Sequence, residues 1–221
     1  MPDSLSEPVK AVLRDGLAEL GYADMPELEV QLLQYLALLL RWNRAYNLTA
    51  VRDPLDMVTR HLLDSLSIAR YIPVNAEQII DVGTGAGLPG LPLALLNPQQ
   101  HYSLLDSNGK KTRFLFQVKT ELGLANMSVH RTRAETWVPP ETYDVVLSRA
   151  YASLTDMVQC CGHLCSESGA FLAMKGALPE AELGAVETLC DVRNIFPLQV
   201  PGLGEERHLI ELAPLRKPEG E

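Results

Sequence analysis

Cysteine is scarce in this chain, and long hydrophobic runs are missing. Only 4 of its 221 residues are cysteine, and three of these cluster at Cys160, Cys161 and Cys165, unlike the dense, spread pattern of a secreted disulfide framework. The longest apolar run near the start, Leu36 to Leu40, is far shorter than the ~18 residues of a membrane span. Residues 1–10 carry acids and no apolar signal core. We therefore expect a soluble protein of the reducing cytoplasm, with no membrane association.

Positive charge is also in short supply. The chain has 19 Lys and Arg against 28 Asp and Glu, a net charge of −9. This argues against a protein that coats nucleic acid indiscriminately, because clustered cations that release counterions drive phosphate binding. Two windows, residues 41–60 and 107–119, nevertheless hold 8 of the 19 cations, namely Arg41, Arg44, Arg52, Arg60, Lys110, Lys111, Arg113 and Lys119. Either window alone is more typical of a solvated helix face than of a nucleic-acid contact.

The first 72 residues have helical apolar spacing. Predicted helices run from Ser6 to Gly21, from Asp24 to about Trp42, and from Asp53 toward Tyr71. From residue 78 onward, short strand-like runs alternate with helical segments. These runs cover residues 78–82, 101–105, 127–130, 143–147 and 170–174, and two more at 191–200 and 208–213 indicate a hairpin.

This alternation predicts an α/β fold with a mostly parallel, doubly wound sheet. A terminal antiparallel hairpin completes the sheet, and an N-terminal helical extension precedes it. We place the extension at residues 1–72, packed on the core, and the sheet domain at residues 73–213. Residues 214–221, with two prolines, one glycine and mixed charges, are predicted to form a flexible tail.

A glycine-rich turn follows the first predicted strand. Its Gly85, Gly87 and Gly90 satisfy the dinucleotide spacing G-x-G-x-x-G, whereas Asp81, Gly83, Gly85 and Gly87 satisfy the D-x-G-x-G-x-G pattern of S-adenosylmethionine-dependent methyltransferases. The carboxylate of Asp81 favours the second pattern, because it would repel a pyrophosphate but attract the ammonium and sulfonium of S-adenosylmethionine. We expect this turn to hold a nucleoside cofactor.

Charged residues follow the later strands. Asp106 ends the second strand, 25 residues after Asp81, where doubly wound folds place an acid that binds ribose hydroxyls. A helix cap is the alternative for Asp106. Ala134 and Glu135 follow the third strand, which places them at the adenine edge. Arg149 follows the fourth strand, and because ligands bind at the carboxyl ends of parallel strands, we expect it where the reaction occurs.

The missing motifs limit the reaction. Residues 148–151 read Ser-Arg-Ala-Tyr and lack the Asn/Asp-Pro-Pro-aromatic motif of amine methyltransferases. Methylation of a pyrimidine carbon needs a thiolate nucleophile, typically a cysteine after a proline, and no cysteine here follows a proline. What remains is an acceptor that is already nucleophilic, such as guanine N7, which has a lone pair and no proton to lose. Cys160, Cys161, His163 and Cys165, which we place on the helix after the fourth strand, lack the paired spacing of a zinc site, so we expect no metal.

Seven segments together resemble a known family. They are Trp-Asn-Arg-Ala-Tyr-Asn-Leu-Thr at 42–49, Arg-His-Leu-Leu-Asp-Ser at 60–65, the glycine turn at 81–90, Leu-Asp-Ser at 105–107, Ser-Arg-Ala at 148–150, Lys-Gly at 175–176 and Glu-Arg-His-Leu at 206–209. This set, between about residues 40 and 212, closely resembles the bacterial 16S rRNA guanine-N7 methyltransferases, also called glucose-inhibited division protein B.

The resemblance implies a fold, a reaction and a site. The fold is the Rossmann-like class I fold of S-adenosylmethionine-dependent methyltransferases. The reaction passes a methyl group from S-adenosylmethionine to N7 of one guanine in the decoding-region loop of 16S rRNA. The predicted cofactor residues are Asp81, Gly83, Gly85, Gly87, Leu88, Asp106, Ala134, Glu135 and Arg149. Arg149 is also the predicted catalytic residue, and no general base is expected.

The expected partner is 16S rRNA, alone, in an assembly intermediate or in the small ribosomal subunit, with no obligate protein partner. Candidate RNA-binding residues are Arg41, Arg44, Arg52, Arg60, His61, Lys110, Lys111, Arg113, Lys175 and Arg207. Trp42 and Tyr46 could stack on an unpaired base or pack in the core. His61, Asp64 and Ser65 could line the substrate pocket or tie the N-terminal helices to the sheet.

Two other functions fit the same fold. An NAD-dependent oxidoreductase would use the dinucleotide spacing, and a non-catalytic module would bind a nucleoside only to regulate its contacts. None of the seven tyrosines has a lysine four residues later, which argues against short-chain dehydrogenase chemistry.

Overall fold

The first two helices begin and end where their sequence signals lie. The computed structural model describes residues 5–149, 151 and 153–215. Helix α1 (Glu7–Glu19) has proline in its first turn and is followed by Gly21 at φ +89°. Helix α2 (Pro26–Tyr46) also starts with proline and ends at Asn47 in the left-handed conformation. It therefore runs four residues past the predicted end at Trp42. Among the described residues, no helix is long and apolar enough to cross a membrane.

The third helix departs from the prediction of one continuous helix. After α3 (Pro54–Met57) the backbone widens into a π-helix over Val58–Leu63, returns to α4 (Asp64–Leu66) and ends in a 3₁₀ turn at Ala69–Tyr71. Apolar spacing does not reveal this π-helix, because six residues are too few for the changed number of residues per turn to show in the pattern. Such short π-helical segments are often found at functional sites.

Seven strands form one sheet in the order β3-β2-β1-β4-β5-β7-β6. They are β1 (Gln78–Val82), β2 (His101–Leu105), β3 (Met127–His130), β4 (Tyr143–Ser148), β5 (Cys165–Lys175), β6 (Cys190–Pro197) and β7 (His208–Pro214). The first five are parallel, and β7 runs antiparallel to both β5 and β6. The predicted parallel sheet and terminal hairpin are confirmed.

Several predicted strand boundaries shift by one residue or more, and three of these corrections are the main ones. Strand β5 starts at Cys165 rather than Ala170, so Cys165 lies in the sheet and not on the helix that carries Cys160 and Cys161. Strand β6 ends at Pro197, short of the predicted Val200. Strand β7 includes Pro214, which was assigned to the tail. Leu215, the next residue of the predicted tail, is exposed. Residues 216–221 of the predicted tail lie outside the described residues.

Helices cover both faces of the sheet. One face packs against α1, α2, α5 (Gly90–Leu96) and α6 (Gly109–Leu122), and the other against α7 (Leu154–Cys161) and α8 (Glu180–Val186). Successive strand residues therefore enter different cores: Ile79 packs with the first group and Ile80 with the second. The N-terminal helices share one core with the sheet, although the division at residue 72 stays a prediction.

From β1 the chain first continues on one side of the sheet, to β2 and β3, and then on the other side, to β4 and β5. The strand order therefore reverses between β1 and β4. In open α/β sheets this switch point leaves a crevice at the carboxyl ends of the strands, and ligands bind there. The glycine turn that follows β1 lies at this crevice. One hydrogen bond supports the turn from the helical extension: the buried Tyr35 hydroxyl of α2 donates to the Ala86 carbonyl at 2.8 Å.

We expect Tyr35→Phe to lower the free energy of unfolding by about 1 to 2 kcal/mol, because the buried Ala86 carbonyl would lose its donor. Tyr46→Phe is the matched control, since Tyr46 lies on the same helix with 42% of its surface exposed. Urea unfolding of both variants measures the difference. Equal stability of the two would show that the Tyr35 bond does not support the turn.

Candidate functional site

The glycine turn adopts a backbone that other residues would strain. Gly83, Gly85 and Gly87 have φ values of +70°, +63° and +99°, the left-handed region that favours glycine. A Cβ on Gly87 would lie 2.8 Å from a Leu115 methyl carbon. A Cβ on Gly90 would lie 2.4 Å from a Leu104 methyl carbon. The glycines thus let the turn fold tightly and let α5 begin close to the sheet.

Asp81 lies beneath this turn and is fully buried. Its Oδ2 accepts hydrogen bonds from the Thr84 hydroxyl at 2.6 Å and from the Gly90 amide at 2.8 Å. Its Oδ1 is buried and has no hydrogen-bond partner among the described residues. Burial raises the pKa of Asp81 to about 6, against the opposing effect of these two donors. One oxygen therefore shapes the turn, and the other leaves negative charge unpaired within it.

Asp106 holds the turn from the neighbouring strand. Its carboxylate accepts hydrogen bonds from the Gly85 amide at 3.0 Å and the Asn108 amide at 2.8 Å, and Lys111 Nζ lies 3.4 Å away. The N-cap of α6 is Asn108, whose side chain accepts from the Lys110 amide. Asp106 is therefore not the helix cap, and its buried carboxylate lies at the crevice.

Ala134 and Glu135 follow β3 in a 3₁₀ turn at Ala134–Thr136. They lie at the same edge as Asp106, whose amide donates to the last residue of β3, His130, at 3.2 Å. Ala134 is buried and Glu135 is exposed. The glycine turn, Asp106 and this 3₁₀ turn therefore follow the carboxyl ends of β1, β2 and β3, respectively.

A second group of residues lies on the other side of the glycine turn, where Arg149 follows β4. Asp81 and Leu147 are paired in the register of β1 and β4, so Arg149 lies close to the turn. Its guanidinium donates to the Asp64 carboxylate at 3.1 Å and to the Arg60 carbonyl at 3.1 Å. The second oxygen of Asp64 accepts from Arg207 Nε at 3.2 Å. Burial raises the pKa of Asp64, and the two arginines oppose this rise.

These residues surround a cavity of about 350 Å³, a volume at the small end for ligand pockets. Its lining consists of Val51, Arg60, His61, Asp64, Arg149, Met174, Lys175, Gly176 and Arg207. The π-helix supplies Arg60 and His61 to it. None of these described lining residues belongs to the glycine turn. Arg149, which follows the strand paired with β1, is the lining residue on the side of the crevice.

His61 both lines the cavity and ties the extension together. Its Nε2 lies 2.9 Å from the Thr49 hydroxyl, and its backbone carbonyl accepts from the Ser65 hydroxyl. Burial, together with the positive charge of Arg149, lowers the pKa of His61 to about 4. The ring is therefore neutral near pH 7.

The predicted RNA-binding residues divide into three places. Arg60, His61, Lys175 and Arg207 surround the cavity. Lys110, Lys111 and Arg113 lie in the first turns of α6, beside Asp106. Arg41, Arg44 and Arg52 line a separate groove near the ends of α2 and α6, where Arg41 pairs with Glu121 at 3.3 Å. Glu121 is about 16 Å along α6 from Lys110, so the first basic window does not flank the crevice as a whole.

The aromatic and cysteine candidates are placed as follows. Trp42 packs against Tyr46 and Phe114 with ring centroids 5.2 and 5.7 Å apart, which supports core packing for Trp42. Tyr46 remains exposed. All four cysteines are free, and three of them are buried. Among the described residues, no three His, Cys, Asp or Glu side chains are grouped to hold a metal ion.

Sequence reasoning missed three residues of this region. Thr84 and Tyr35 hold the glycine turn, and Glu205 pairs with Arg60 and Arg207 at the rim of the cavity. Thr84 could have been found, because a hydroxyl three residues after Asp81 is within reach of its carboxylate. Tyr35 and Glu205 give no such signal, because their partners are distant in the chain.

We expect Asp64→Asn to destabilise the protein by about 2 kcal/mol at pH 7. An amide can accept from one arginine, but its NH₂ group then faces the guanidinium donors of the other. Asp56→Asn, which changes an exposed carboxylate on α3, is the control and should shift stability by less than about 0.5 kcal/mol. Urea unfolding distinguishes them, and an equally small effect of Asp64→Asn would contradict the central role of its carboxylate.

Comparison with known proteins identifies the family. The profile of rRNA small subunit methyltransferase G matches residues 28–210. The protein named ribosomal RNA small subunit methyltransferase G of Saccharophagus degradans is 53% identical over 183 residues, 83% of this chain and 81% of that protein. Its namesake in Herminiimonas arsenicoxydans is 48% identical over 204 residues, 90% of this chain and 93% of that protein.

A solved structure supports the fold independently. The glycopeptide N-methyltransferase MtfA, complexed with S-adenosylmethionine, superimposes with a TM-score of 0.59 at 10% identity, covering 70% of this chain and 94% of that one. Similarity at this level shows the fold alone, and it confirms the predicted Rossmann-like fold. Because the profile and both relatives span most of the chain, the protein belongs to the rRNA small subunit methyltransferase G family.

Proposed function

We propose that this protein transfers a methyl group from S-adenosylmethionine to N7 of a specific guanine in the decoding-region loop of 16S rRNA. The observation that supports the proposal is the position of Arg149, which follows the strand paired with β1 and lines an arginine-rich cavity. A methyl donor in the crevice and a base in the cavity would lie side by side. Family membership favours methyl transfer over the hydride transfer of an oxidoreductase.

The residues of the crevice fit the cofactor. Gly83, Gly85 and Leu88 form a close-fitting turn for the methionine part, and the unpaired Oδ1 of Asp81 favours its ammonium group. We assign the ribose to Asp106, whose carboxylate lies at the crevice, and the adenine to the turn at Ala134 and Glu135. When bound, S-adenosylmethionine supplies an electrophilic methyl group on a sulfonium.

The residues of the cavity position the base rather than move a proton. Guanine N7 offers a lone pair and has no proton to remove, so alignment supplies most of the catalysis. The neutral, hydrogen-bonded His61 is consistent with the absence of a general base. Arg149 has a fixed orientation because Asp64 and the Arg60 carbonyl both hold it.

Methylation leaves the purine ring with a positive charge, which a nearby lysine would oppose. Lys175 lines the cavity, but its ammonium lies 3.2 Å from the Glu182 carboxylate and 3.4 Å from the Tyr151 carbonyl. Glu182 thus offsets the charge of the lysine. The acceptor is 16S rRNA within the cytoplasm, as free RNA, in an assembly intermediate or in the finished small subunit.

A methylation assay tests this function. The purified protein is incubated with radiolabelled S-adenosylmethionine and small-subunit rRNA, or small subunits, from cells that lack the protein. Nuclease digestion and mass spectrometry should locate the label on a single 7-methylguanosine. Label on another atom or nucleotide, or no transfer to RNA or particles, would contradict the proposal.

The variant Arg149→Gln should lower kcat/KM by about 100-fold. The shorter glutamine side chain removes the guanidinium that Asp64 and the Arg60 carbonyl hold beside the acceptor. Arg70→Gln, an exposed arginine on the 3₁₀ turn before β1, is the control for charge and should retain activity. The same assay measures both. Similar rates for the two variants would remove Arg149 from the reaction.

The affinity for S-adenosylmethionine should fall as the pH falls from 7 to 5. Asp81, with its pKa near 6, gains a proton over this range and loses its attraction for the cofactor, whose ammonium stays charged. We expect up to about ten-fold weaker binding at pH 5 by calorimetry. Asp81→Asn should show a flatter profile, because the variant lacks the carboxyl that titrates in this range. Asp106 is present in both proteins and does not contribute to the difference. Identical profiles would exclude Asp81 as the titrating group.

A further inference from the structure

A carboxylate of the chain itself bridges two arginines at the rim of the cavity. Glu205 lies in the connection between β6 and β7, and Arg60 donates to both of its oxygens, at 3.1 and 2.5 Å. Arg207 Nη2 donates to the same carboxylate at 3.2 Å. Two guanidinium groups therefore contact one carboxylate. Arg60 and Glu205 are 145 residues apart in the sequence.

The side chain of Arg207 has a second carboxylate partner besides Glu205, whereas Arg60 is held through its backbone. Arg207 Nε donates to the buried Asp64 carboxylate. Arg60 belongs to the π-helix, and its backbone carbonyl accepts from Arg149. The anion-binding pair is therefore linked through Asp64 and Arg149 to the place where the acceptor base would lie.

Glu205 is the exchangeable member of this group. Its side chain is 48% exposed, against 19% for Arg207. An exposed ion pair contributes little to stability, because water and salt screen it. The planar guanidinium binds carboxylates and phosphates with the same paired geometry. A phosphate could therefore take the place of the carboxylate without moving the arginines far.

We propose that Arg60 and Arg207 form a binding site for a backbone phosphate of the substrate RNA, and that Glu205 occupies this site until the phosphate displaces it. The proposal rests on the proposed function for the identity of the RNA. The phosphate belongs to the chain that carries the base into the adjoining cavity. Because every phosphate must first displace Glu205, RNA that cannot also fill the cavity gains less from this contact.

The neighbouring Glu206 allows a matched test. It is exposed, and Glu206→Gln changes the net charge by the same amount as Glu205→Gln, so long-range attraction of RNA is equal in the two variants. The measurement is the Kd for unmodified small-subunit rRNA by filter binding, with S-adenosylhomocysteine present to prevent turnover. Thermal unfolding of both variants accompanies it.

We expect Glu205→Gln to bind rRNA about three-fold or more tightly than Glu206→Gln. In the first variant, an RNA phosphate no longer has to displace a carboxylate from Arg60 and Arg207. Adding Arg60→Gln should abolish this difference. Equal affinities of the two variants would overturn the proposal. So would weaker binding by Glu205→Gln together with a lower Tm, because the glutamate would then be a structural strap.

The binding comparison separates this proposal from the proposed function. If the wild-type protein binds rRNA but methylates no guanine N7, the proposed function fails. The Kd values of Glu205→Gln and Glu206→Gln would still decide whether a carboxylate competes with RNA at the arginine pair.

Discussion

The buried carboxylate of Asp64 is the interaction on which the candidate site depends. A charge removed from water must be paired, and Asp64 finds its partners in Arg149, after β4, and Arg207, before β7. Three regions far apart in the chain therefore meet at one side chain. The π-helix ends directly before Asp64, the first residue of α4, and its Arg60 carbonyl accepts a hydrogen bond from Arg149.

The helical extension is part of the cofactor crevice as well as of the core. Tyr35 supports the glycine turn from outside, and Asp81 supports it from below. The turn therefore has its shape before any ligand arrives, which lowers the ordering cost of binding. Asp106 adds a third support through the Gly85 amide while keeping its carboxylate at the crevice.

An acidic protein that acts on RNA must confine its attraction to the right place. Here several cations near the site already have anionic partners: Lys111 pairs with Asp106, Lys175 with Glu182 and Arg60 with Glu205. Such pairs reduce the attraction for any passing phosphate. We expect selectivity for an RNA that replaces several of these ion pairs at once.

Local sequence determined the elements and the chemistry of the turn. Strands β1, β2 and β3 begin and end at the predicted residues, because period and turn signals act over a few neighbours. The glycine pattern, Asp106 and Arg149 likewise followed from their places after strands. The tertiary structure alone decided the π-helix, the removal of Arg41 from the crevice, the Tyr35 bond to Ala86 and the pairing of Glu205 with Arg60. The contacts of Arg41 with Glu121, of Tyr35 with Ala86 and of Arg60 with Glu205 join residues distant in sequence. No local pattern could encode them, and only packing of the extension against the sheet brings them together. The π-helix is local, but its six residues are too few to change the apolar spacing visibly.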